Sequence, residues 1–198
     1  MTFNRLLILL AILGVLVACQ PRLTVAQPSK HTGEKMTTES EMPGIRDFDF
    51  LVGHWQVHHR RLKERLANSR EWIEFAGTSV TQKLMGGAAL VDDNVLEFPA
   101  GTYRAAGLRA FDSKSGLWSI WWLDGRTPQG PLEPPVRGGF QDGTGTFLAD
   151  ETFNGIPIRV RFTWSGITPT SCHWEQAFST DGGATWETNW VMDFERIR

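Results

Sequence analysis

Hydrophobic and polar side chains alternate along most of the chain, in short segments that are separated by turn-forming residues. Alternation with a period of two places successive side chains on opposite faces of a β-strand. Clusters of Gly, Asp, Asn and Pro end the segments at short, regular intervals, which is typical of antiparallel sandwiches and barrels. The pattern predicts ten strands, at about residues 52–61, 72–83, 88–97, 103–111, 117–123, 134–140, 145–154, 156–164, 171–179 and 185–196.

Little of the sequence has a helical pattern. The best candidate is a short turn at residues 45–51, just before the first strand. Residues 60–66 resemble a helix fragment, but the run is short and has no capping residue. We therefore expect an all-β domain with no regular helix.

The last two predicted strands can be aligned through the turn between them. If Asp181-Gly182-Gly183 closes a tight hairpin, four pairs share one face: Phe178 with Trp186, Gln176 with Thr188, Trp174 with Trp190 and Cys172 with Met192. The other face is expected to be solvated and carries His173, Glu175, Ala177, Glu187, Asn189, Asp193 and Glu195. The same reasoning places Arg161 of the preceding strand opposite Glu175.

The first 18 residues have the composition of a secretory signal peptide. One charge, Arg5, precedes an apolar run over residues 6–18 that is too short for an ordinary membrane span. The run ends in Leu16-Val17-Ala18-Cys19, which resembles the bacterial lipobox. This resemblance implies that Cys19 is lipidated and anchors the protein in the cell envelope. Gln20 then favours the outer membrane, facing the periplasm; a plain signal peptide with a chance cysteine is the alternative.

Residues 19–45 are expected to form a flexible linker, because three prolines stand among polar residues with no aromatic residue or apolar period. The folded domain then covers residues 46–198 and contains all nine tryptophans of the chain. The chain has 20 basic and 22 acidic residues, and its net charge of −2 provides no field to attract nucleic acid. The pattern does not indicate an oligomeric state.

Cysteine usage agrees with the predicted lipid anchor. The chain has two cysteines, so lipidation of Cys19 leaves Cys172 without a partner for an intramolecular disulfide. No sustained positive charge or helix start lies near Cys172 to lower its thiol pKa. We expect Cys172 to be a buried, unreactive side chain.

The turn between the last two strands has a recognisable motif. Residues 179–186 match the pattern Ser-x-Asp-x-Gly-x-Thr-Trp, which resembles the Asp box of sialidases and other β-propellers. Asp and Ser oxygens accept backbone N–H bonds in such a turn, and Gly adopts the positive φ. A propeller repeats the motif blade by blade, whereas one copy occurs here. We therefore assign structural roles to Ser179, Asp181, Gly183 and Trp186.

A Gly-x-Trp motif, Gly53-His54-Trp55, opens the first strand, and Arg196 lies at the end of the last strand. This arrangement resembles the closed end of the lipocalins and the wider calycin superfamily, where the Arg lies over the Trp ring in a cation–π contact. The chain also resembles a family of bacterial lipocalin-like proteins of unknown function that are related to the nitrobindins. The matching segments are residues 48–55, 107–112, 116–122, 143–147 and 174–190.

The resemblance implies an antiparallel calycin-like β-barrel of about ten strands, with Gly53, Trp55 and Arg196 in structural roles at its closed end. Nitrobindins bind haem through a His near the end of the last strand, but residues 189–198 contain no His. We therefore expect no cofactor.

A calycin barrel leaves a cavity at its open end that is lined by apolar side chains and a few polar ones. Nine tryptophans exceed what a floor and a core usually need, which favours binding of a small hydrophobic or aromatic ligand. The expected lining residues are Trp118, Trp122, Phe162, Trp174, Trp190 and Met192, with His59, Tyr103, Arg109 and Gln176 as polar contacts. No catalytic triad, nucleophile elbow or P-loop can be assembled from the sequence.

Two alternatives concern the histidines of the first strand. His59 shares a strand face with Trp55, so with an acid such as Asp124 it could serve an isomerase, cyclase or hydrolase. His54 and His58 lie on the opposite face, where two ligands without a Cys partner are too few for a metal site. We expect no metal.

Overall fold

The chain forms a closed β-barrel in a computed structural model that describes residues 42–197. Every strand pairs antiparallel with its neighbour in sequence, and β1 pairs with β10 to close the sheet. The strands are β1 (Gly53–Leu62), β2 (Trp72–Leu84), β3 (Ala89–Phe98), β4 (Gly101–Asp112), β5 (Leu117–Asp124), β6 (Val136–Gln141), β7 (Thr144–Phe153), β8 (Ile156–Ser165), β9 (Ser171–Ser179) and β10 (Glu187–Arg196).

The predicted all-β fold is confirmed, and each predicted strand agrees with the observed one to within two residues at either end. The short turn before the first strand is confirmed as a 3₁₀ turn at Asp49–Leu51. No helix forms at residues 60–66, because β1 continues to Leu62. The predicted signal peptide, Cys19 and most of the predicted linker lie outside the described residues. No helix within residues 42–197 has the length and apolar composition needed to cross a membrane.

The segment before β1 folds into the closed end of the barrel. Phe48 is fully buried and lies edge-on to Trp118 and Trp164, with ring centroids 5.2 and 6.0 Å away. The indole Nε1 of Trp118 donates a hydrogen bond of 2.9 Å to the carbonyl oxygen of Gly44, and Ile45 is buried. Gly44 and Ile45, which the sequence pattern assigned to the linker, thus pack with the barrel.

The predicted contact between Trp55 and Arg196 is confirmed, because the guanidinium carbon lies 4.1 Å from the centre of the indole. The same guanidinium donates hydrogen bonds of 2.6 and 2.7 Å to the carbonyl oxygens of Phe50 and Val52. Gly53 is required beside it, because its φ is +122° and a Cβ there would lie 2.6 Å from Nη1 of Arg196. The Trp55–Arg196 contact therefore joins the first and last strands at the closed end, where β1 and β10 also pair.

The register predicted for β9 and β10 is wrong by two residues over most of its length. Trp190 lies opposite Gln176, Met192 opposite Trp174 and Phe194 opposite Cys172. The turn is longer than a tight hairpin, and a bulge at Asn189 interrupts the pairing. The bulge turns Asn189 inward, where it is completely buried, whereas the alternation had placed it on the solvated face.

The predicted pairing of Arg161 with Glu175 is also wrong, because Arg161 lies opposite Ala177. The guanidinium carbon of Arg161 instead lies 4.3 Å from the centre of the Trp186 ring. The long turn carries Trp186 out of the strand, so it does not pair with Phe178. The alternation therefore assigned most side chains to the correct face, but the turn length decided which residues meet.

Candidate ligand-binding cavity

The barrel encloses a cavity of about 210 Å³ above the packed floor. Its two sides differ in chemistry: β2, β3 and β4 contribute a polar wall, and β8, β9 and β10 contribute an aromatic wall. The polar wall consists of Ser79, Asp92, Asn94, Gly107 and Arg109, and the aromatic wall includes Phe162, Trp164, Trp174, Trp190, Met192 and Phe194. A molecule in this space would contact polar groups on one edge and ring faces or edges on the other.

The aromatic wall is a set of rings packed edge to face. Trp174 lies near the middle, with its ring centroid 4.9 Å from Phe162 and 5.9 Å from Trp190. Trp122 of β5 extends the set, with its centroid 6.0 Å from that of Trp190 and an interplanar angle of 80°. Such edge-to-face pairs are favourable and hold the rings in one orientation. The wall is therefore a rigid apolar surface.

A buried ion pair forms the centre of the polar wall. Asp92 and Arg109 are 3% and 6% exposed, and Nη1 of Arg109 donates a hydrogen bond to Oδ1 of Asp92. The side-chain amide of Asn94 donates to Oδ2 of Asp92 over 2.7 Å. A Cβ on Gly107, directly across from Asp92, would lie 2.5 Å from that oxygen, so the glycine makes room for the carboxylate.

Arg109 lies between aromatic rings of the floor. Its guanidinium carbon is 5.1 Å from the ring centre of Phe48 and 5.6 Å from that of Trp164, within the range of cation–π attraction. Burial lowers the pKa of Arg109 to about 9, which leaves the group charged at neutral pH. Among the described residues, Nε of Arg109 and Nε1 of Trp164 have no hydrogen-bond partner.

A second polar pair lies on the aromatic side of the cavity. The amide nitrogen of Gln176 donates a hydrogen bond of 2.8 Å to Oδ1 of Asn189, the residue at the β10 bulge. The bulge thus brings a partner to Gln176 that a regular strand would have pointed at solvent. Gln176 is thereby held in place at the cavity wall.

The cavity opens where the barrel wall is incomplete. Strands β5 and β6 pair only from Trp118 to Ile120, and loop residues 125–135 cover the wall beyond that point. Glu133 and Pro134 of this loop line the cavity, as does Glu151 of β7. Burial and the nearby charge of Glu133 raise the pKa of Glu151. The opening is therefore bordered by two acidic side chains.

Arginines stacked on aromatic rings surround the same end of the barrel. The guanidinium carbon of Arg61 lies 4.6 Å from the ring centre of Phe98 and 5.5 Å from that of Trp190. Arg126 lies 4.1 Å from the ring of Tyr103, which is partly buried beside it. Burial lowers the pKa of Arg61, and the neighbouring groups do not reverse that shift.

The structure brings seven of the ten predicted ligand-contacting residues to the cavity wall: Arg109, Trp122, Phe162, Trp174, Gln176, Trp190 and Met192. Three are elsewhere. Trp118 lies in the packed floor beside Phe48, and Tyr103 lies at the rim under Arg126. His59 lies between Phe75 and Trp190, outside the wall, because the bulky rings of its neighbours cover it.

His59 is held as a neutral side chain. Its ring stacks on Phe75 with centroids 4.6 Å apart, and its Nδ1 accepts a hydrogen bond of 3.3 Å from Nε1 of Trp190. Burial, with the nearby charges of His58 and Arg61, lowers the pKa of His59 to about 3. The acid proposed as its partner, Asp124, is bound by Arg126 through bonds of 2.5 to 3.2 Å. The structure does not bring the two groups of the enzymatic alternative together.

The described residues do not form a recognisable metal or haem site. Within the described residues, no group of three or more His, Cys, Asp or Glu side chains is placed to hold a metal ion. His58 points outward, where its Nε2 lies 3.3 Å from a carboxylate oxygen of Glu74. The haem-ligating His of the nitrobindins has no counterpart in β10, which contains no His.

Asp92, Asn94 and Ser79 are cavity residues that the sequence analysis missed. A signal for the first two was present, because Leu90, Asp92, Asn94 and Leu96 share one parity in β3. Both parities of that strand contain apolar residues, so alternation alone did not show which face was buried. The parity of the flanking leucines, which are both fully buried, was the available clue.

Comparisons with known proteins support the fold and leave the function open. No protein-family model matches the chain, and no curated protein matches it. Among solved structures, the chain is similar to Rv2717c from M. tuberculosis, with a TM-score of 0.53 and 11% identity over 79% of this chain and 98% of that one. The similarity agrees with the closed antiparallel barrel of ten strands. At this identity the similarity shows the fold alone.

Two other solved structures are similar at lower TM-scores. One is the S-type phycobiliprotein lyase CPES from Guillardia theta, with a TM-score of 0.49 and 10% identity over 76% of this chain and 90% of that chain. The other is a protein of unknown function of the DUF3598 family from Nostoc punctiforme PCC 73102. Its TM-score is 0.40, with 13% identity over 76% of this chain and 48% of that chain.

Proposed function

We propose that the barrel binds a small hydrophobic or aromatic molecule in its interior cavity. The observation that carries this proposal is the two-sided cavity, with a rigid aromatic wall facing a hydrogen-bonded polar wall. Binding sites for small molecules combine an apolar lining with a few fixed polar groups in this way. A comparable engineered cavity of about 150 Å³ holds benzene, so 210 Å³ suits a molecule of about one ring.

We further propose that the protein is a lipoprotein of the bacterial cell envelope, anchored through Cys19. The lipobox-like segment Leu16-Val17-Ala18-Cys19 supports this proposal. Several acyl chains on one residue give stable anchoring, because each buried CH₂ contributes about 0.8 kcal/mol. In a bacterial host we expect the wild-type protein in the membrane fraction and the Cys19→Ser variant outside it. Wild-type protein without lipid on Cys19, as measured by mass spectrometry, would contradict the anchor.

Tryptophan fluorescence tests the binding proposal directly. Five tryptophans lie at the cavity wall, so a bound ligand is expected to shift or quench their emission and to raise Tm. The variant Trp174→Phe, at the centre of the aromatic wall, should lose part of the quenching. Trp72→Phe is the matched control, because Trp72 stacks with Arg60 on the outside of the barrel and should leave the response unchanged. If no compound of a small aromatic panel changes emission or Tm, the proposal is wrong.

A further inference from the structure

The polar wall of the cavity has a specific charge state. Arg109 carries a positive charge and Asp92 a negative one, and both side chains are more than nine-tenths buried. Their opposite charges cancel, so the buried pair is neutral as a unit. An additional charge placed beside the pair would lie in a medium that solvates it poorly, at a cost of several kcal/mol.

The same pair retains hydrogen-bonding capacity. A guanidinium has five N–H donors, and among the described residues Arg109 makes a hydrogen bond only through Nη1. An ionised carboxylate can accept about four hydrogen bonds, and Asp92 accepts one from Arg109 and one from Asn94. The wall can therefore donate to one atom of a ligand and accept from the same or a neighbouring atom.

Charged groups of both signs lie near the open end of the cavity, where Arg61 and Arg126 stack on aromatic rings. Glu133 and Glu151 border the cavity, and Asp92 lies at its wall. Burial and the charge of Glu133 raise the pKa of Glu151, as expected for carboxylates that are poorly solvated and close to each other. A carboxylate ligand would therefore meet two acidic side chains at the cavity wall and, further inside, a buried pair without net charge to balance its own.

We propose that the ligand is a neutral aromatic molecule of about one ring that carries a hydroxyl group, with the chemistry of a phenol. Its hydroxyl donates to a free lone pair of Asp92 and accepts from a guanidinium N–H of Arg109. Its ring lies against Trp174 and the other rings of the opposite wall. This inference rests on the proposed function and names the chemical class of the ligand in that same cavity.

Three ligands that differ in one substituent test the inference on the wild-type protein: phenol, toluene and benzoate, titrated at pH 7 by isothermal calorimetry. Phenol is expected to bind at least tenfold more tightly than toluene, because one or two hydrogen bonds to charged groups are worth about that much. Benzoate is expected to bind more weakly than phenol because it carries its charge into the cavity. Toluene equal to phenol, or benzoate tighter than phenol, would overturn the inference.

The outcomes separate the inference from the proposed function. If toluene binds as tightly as phenol, the cavity is a binding site and only the neutral-hydroxyl preference is wrong. If none of the three ligands binds, the proposed function fails together with the inference. The ranking on the wild-type protein needs no variant, so a folding defect cannot obscure it.

The variant Asp92→Asn is expected to shift the preference towards benzoate. It leaves the charge of Arg109 without its partner, so the affinity for benzoate relative to phenol should increase at least tenfold. The neighbouring Asp93→Asn is the matched control, because Asp93 is exposed and pairs with Arg104 on the outer face. Circular dichroism and thermal unfolding establish that both variants fold. An unchanged ratio of the benzoate and phenol affinities in a folded Asp92→Asn variant would show that the ion pair does not set ligand charge.

Discussion

Single glycines make room for the polar side chains inside this barrel. A Cβ on Gly77 would lie 2.7 Å from Nε2 of His59, and a Cβ on Gly107 would lie 2.5 Å from Oδ2 of Asp92. Real Cβ atoms essentially never approach a heavy atom so closely. Any side chain at either position would displace a buried polar group from its partner. The positions of His59 and Asp92 therefore depend on glycines that have no side chain.

The neutral state of His59 makes stability depend on pH at the acidic side. Its pKa of about 3 in the folded protein lies below the usual value near 6.5, so the unfolded chain binds a proton first as pH falls. The free energy of unfolding should therefore decrease from about pH 6.5 down to about pH 3, by up to about 1.4 kcal/mol per pH unit.

Urea unfolding at pH 7, 6 and 5 measures this slope. The His59→Gln variant should have a smaller slope than the wild type over this interval, whatever its stability at pH 7. His54→Gln, in the same strand but on the outward face, is the control and should keep the wild-type slope. Identical slopes in the wild type and His59→Gln would mean that another group causes the dependence.

The pair of Trp55 and Arg196 can be tested by a double-mutant cycle. Trp55→Ala removes a completely buried indole and should cost about 3 to 5 kcal/mol. Arg196→Ala should cost about 2 to 4 kcal/mol, because it also removes hydrogen bonds to three backbone carbonyl oxygens. The two changes should couple by about 0.5 to 2 kcal/mol in chemical denaturation, whereas purely additive losses would exclude a direct contribution of the contact.

At the scale of elements, alternation predicted the strands well and their register less well. The parity of Trp174, Gln176 and Trp190 was sufficient to place all three inside the barrel. The register between β9 and β10 depended on two features that parity does not encode, the length of the turn and the bulge at Asn189. A bulge adds a residue to a strand but leaves no sign in the hydrophobic pattern. The inward position of Gln176 could therefore be predicted from the sequence, whereas that of its hydrogen-bond partner Asn189 could not.

The cavity residues, too, could be predicted only where alternation shows which face of a strand is buried. Four of the six side chains of the aromatic wall were predicted, because Phe162, Trp174, Trp190 and Met192 stand out in composition and parity, whereas Trp164 and Phe194 were not. The polar wall was predicted only at Arg109, because β3 has apolar side chains of both parities around Asp92. Trp118 was wrongly assigned to the cavity. The alternation in β5 shows that its side chain points inward, but not whether it lies at the floor or at the cavity. Its position is set by Phe48 and Gly44, which lie before β1 and fold back into the floor.

The turn between β9 and β10 is stabilised by Asp181. Its carboxylate accepts hydrogen bonds of 2.9 Å from the backbone N–H and 2.6 Å from the hydroxyl of Thr185, and one of 2.7 Å from the hydroxyl of Ser179. These bonds lower the pKa of Asp181, so their contribution is present at neutral pH and is lost as pH falls below the usual range of a carboxyl group.

We expect Asp181→Ala to lower Tm by a few degrees, because it leaves the turn donors to solvent and loosens the turn between β9 and β10. Thr180→Ala, at the exposed neighbouring position of the same turn, should leave Tm unchanged and serves as control. Thermal unfolding at pH 7 and pH 3 measures both effects, and the difference between wild type and Asp181→Ala should be smaller at pH 3. An equal difference at both values would show that the carboxylate charge is not involved.

At the scale of the whole molecule, the barrel is closed at one end by aromatic packing and open at the other through an incomplete wall. The floor groups Phe48, Trp118 and Trp164 have no access to solvent, whereas the opening is formed by a loop and by β7. Local opening is therefore expected at loop 125–135, and the strands near the floor should open only when the whole barrel unfolds. A ligand that binds the folded barrel stabilises all of it by mass action.

The labelling rate of the Cys172 thiol is expected to measure unfolding of the whole barrel. Cys172 is buried opposite Phe194, outside the cavity wall, and burial raises its pKa to about 12. In a Cys19→Ser protein, where Cys172 is the only thiol, a thiol-reactive reagent should label native protein at least about 1,000 times more slowly than unfolded protein. A cavity ligand at 100 times its Kd should slow labelling by a further factor of about 100.

The ligand cannot shield Cys172 directly, so any slowing by ligand must come through the unfolding equilibrium. Labelling rates should therefore rise with urea along the same curve as loss of β-sheet circular dichroism, with and without ligand. Rapid labelling that does not depend on urea would mean that β9 opens locally beside its neighbour β10. In that case the closed end is less stable than the contacts of Trp55, Arg196 and Phe48 indicate, and the floor does not unfold as one unit with the cavity.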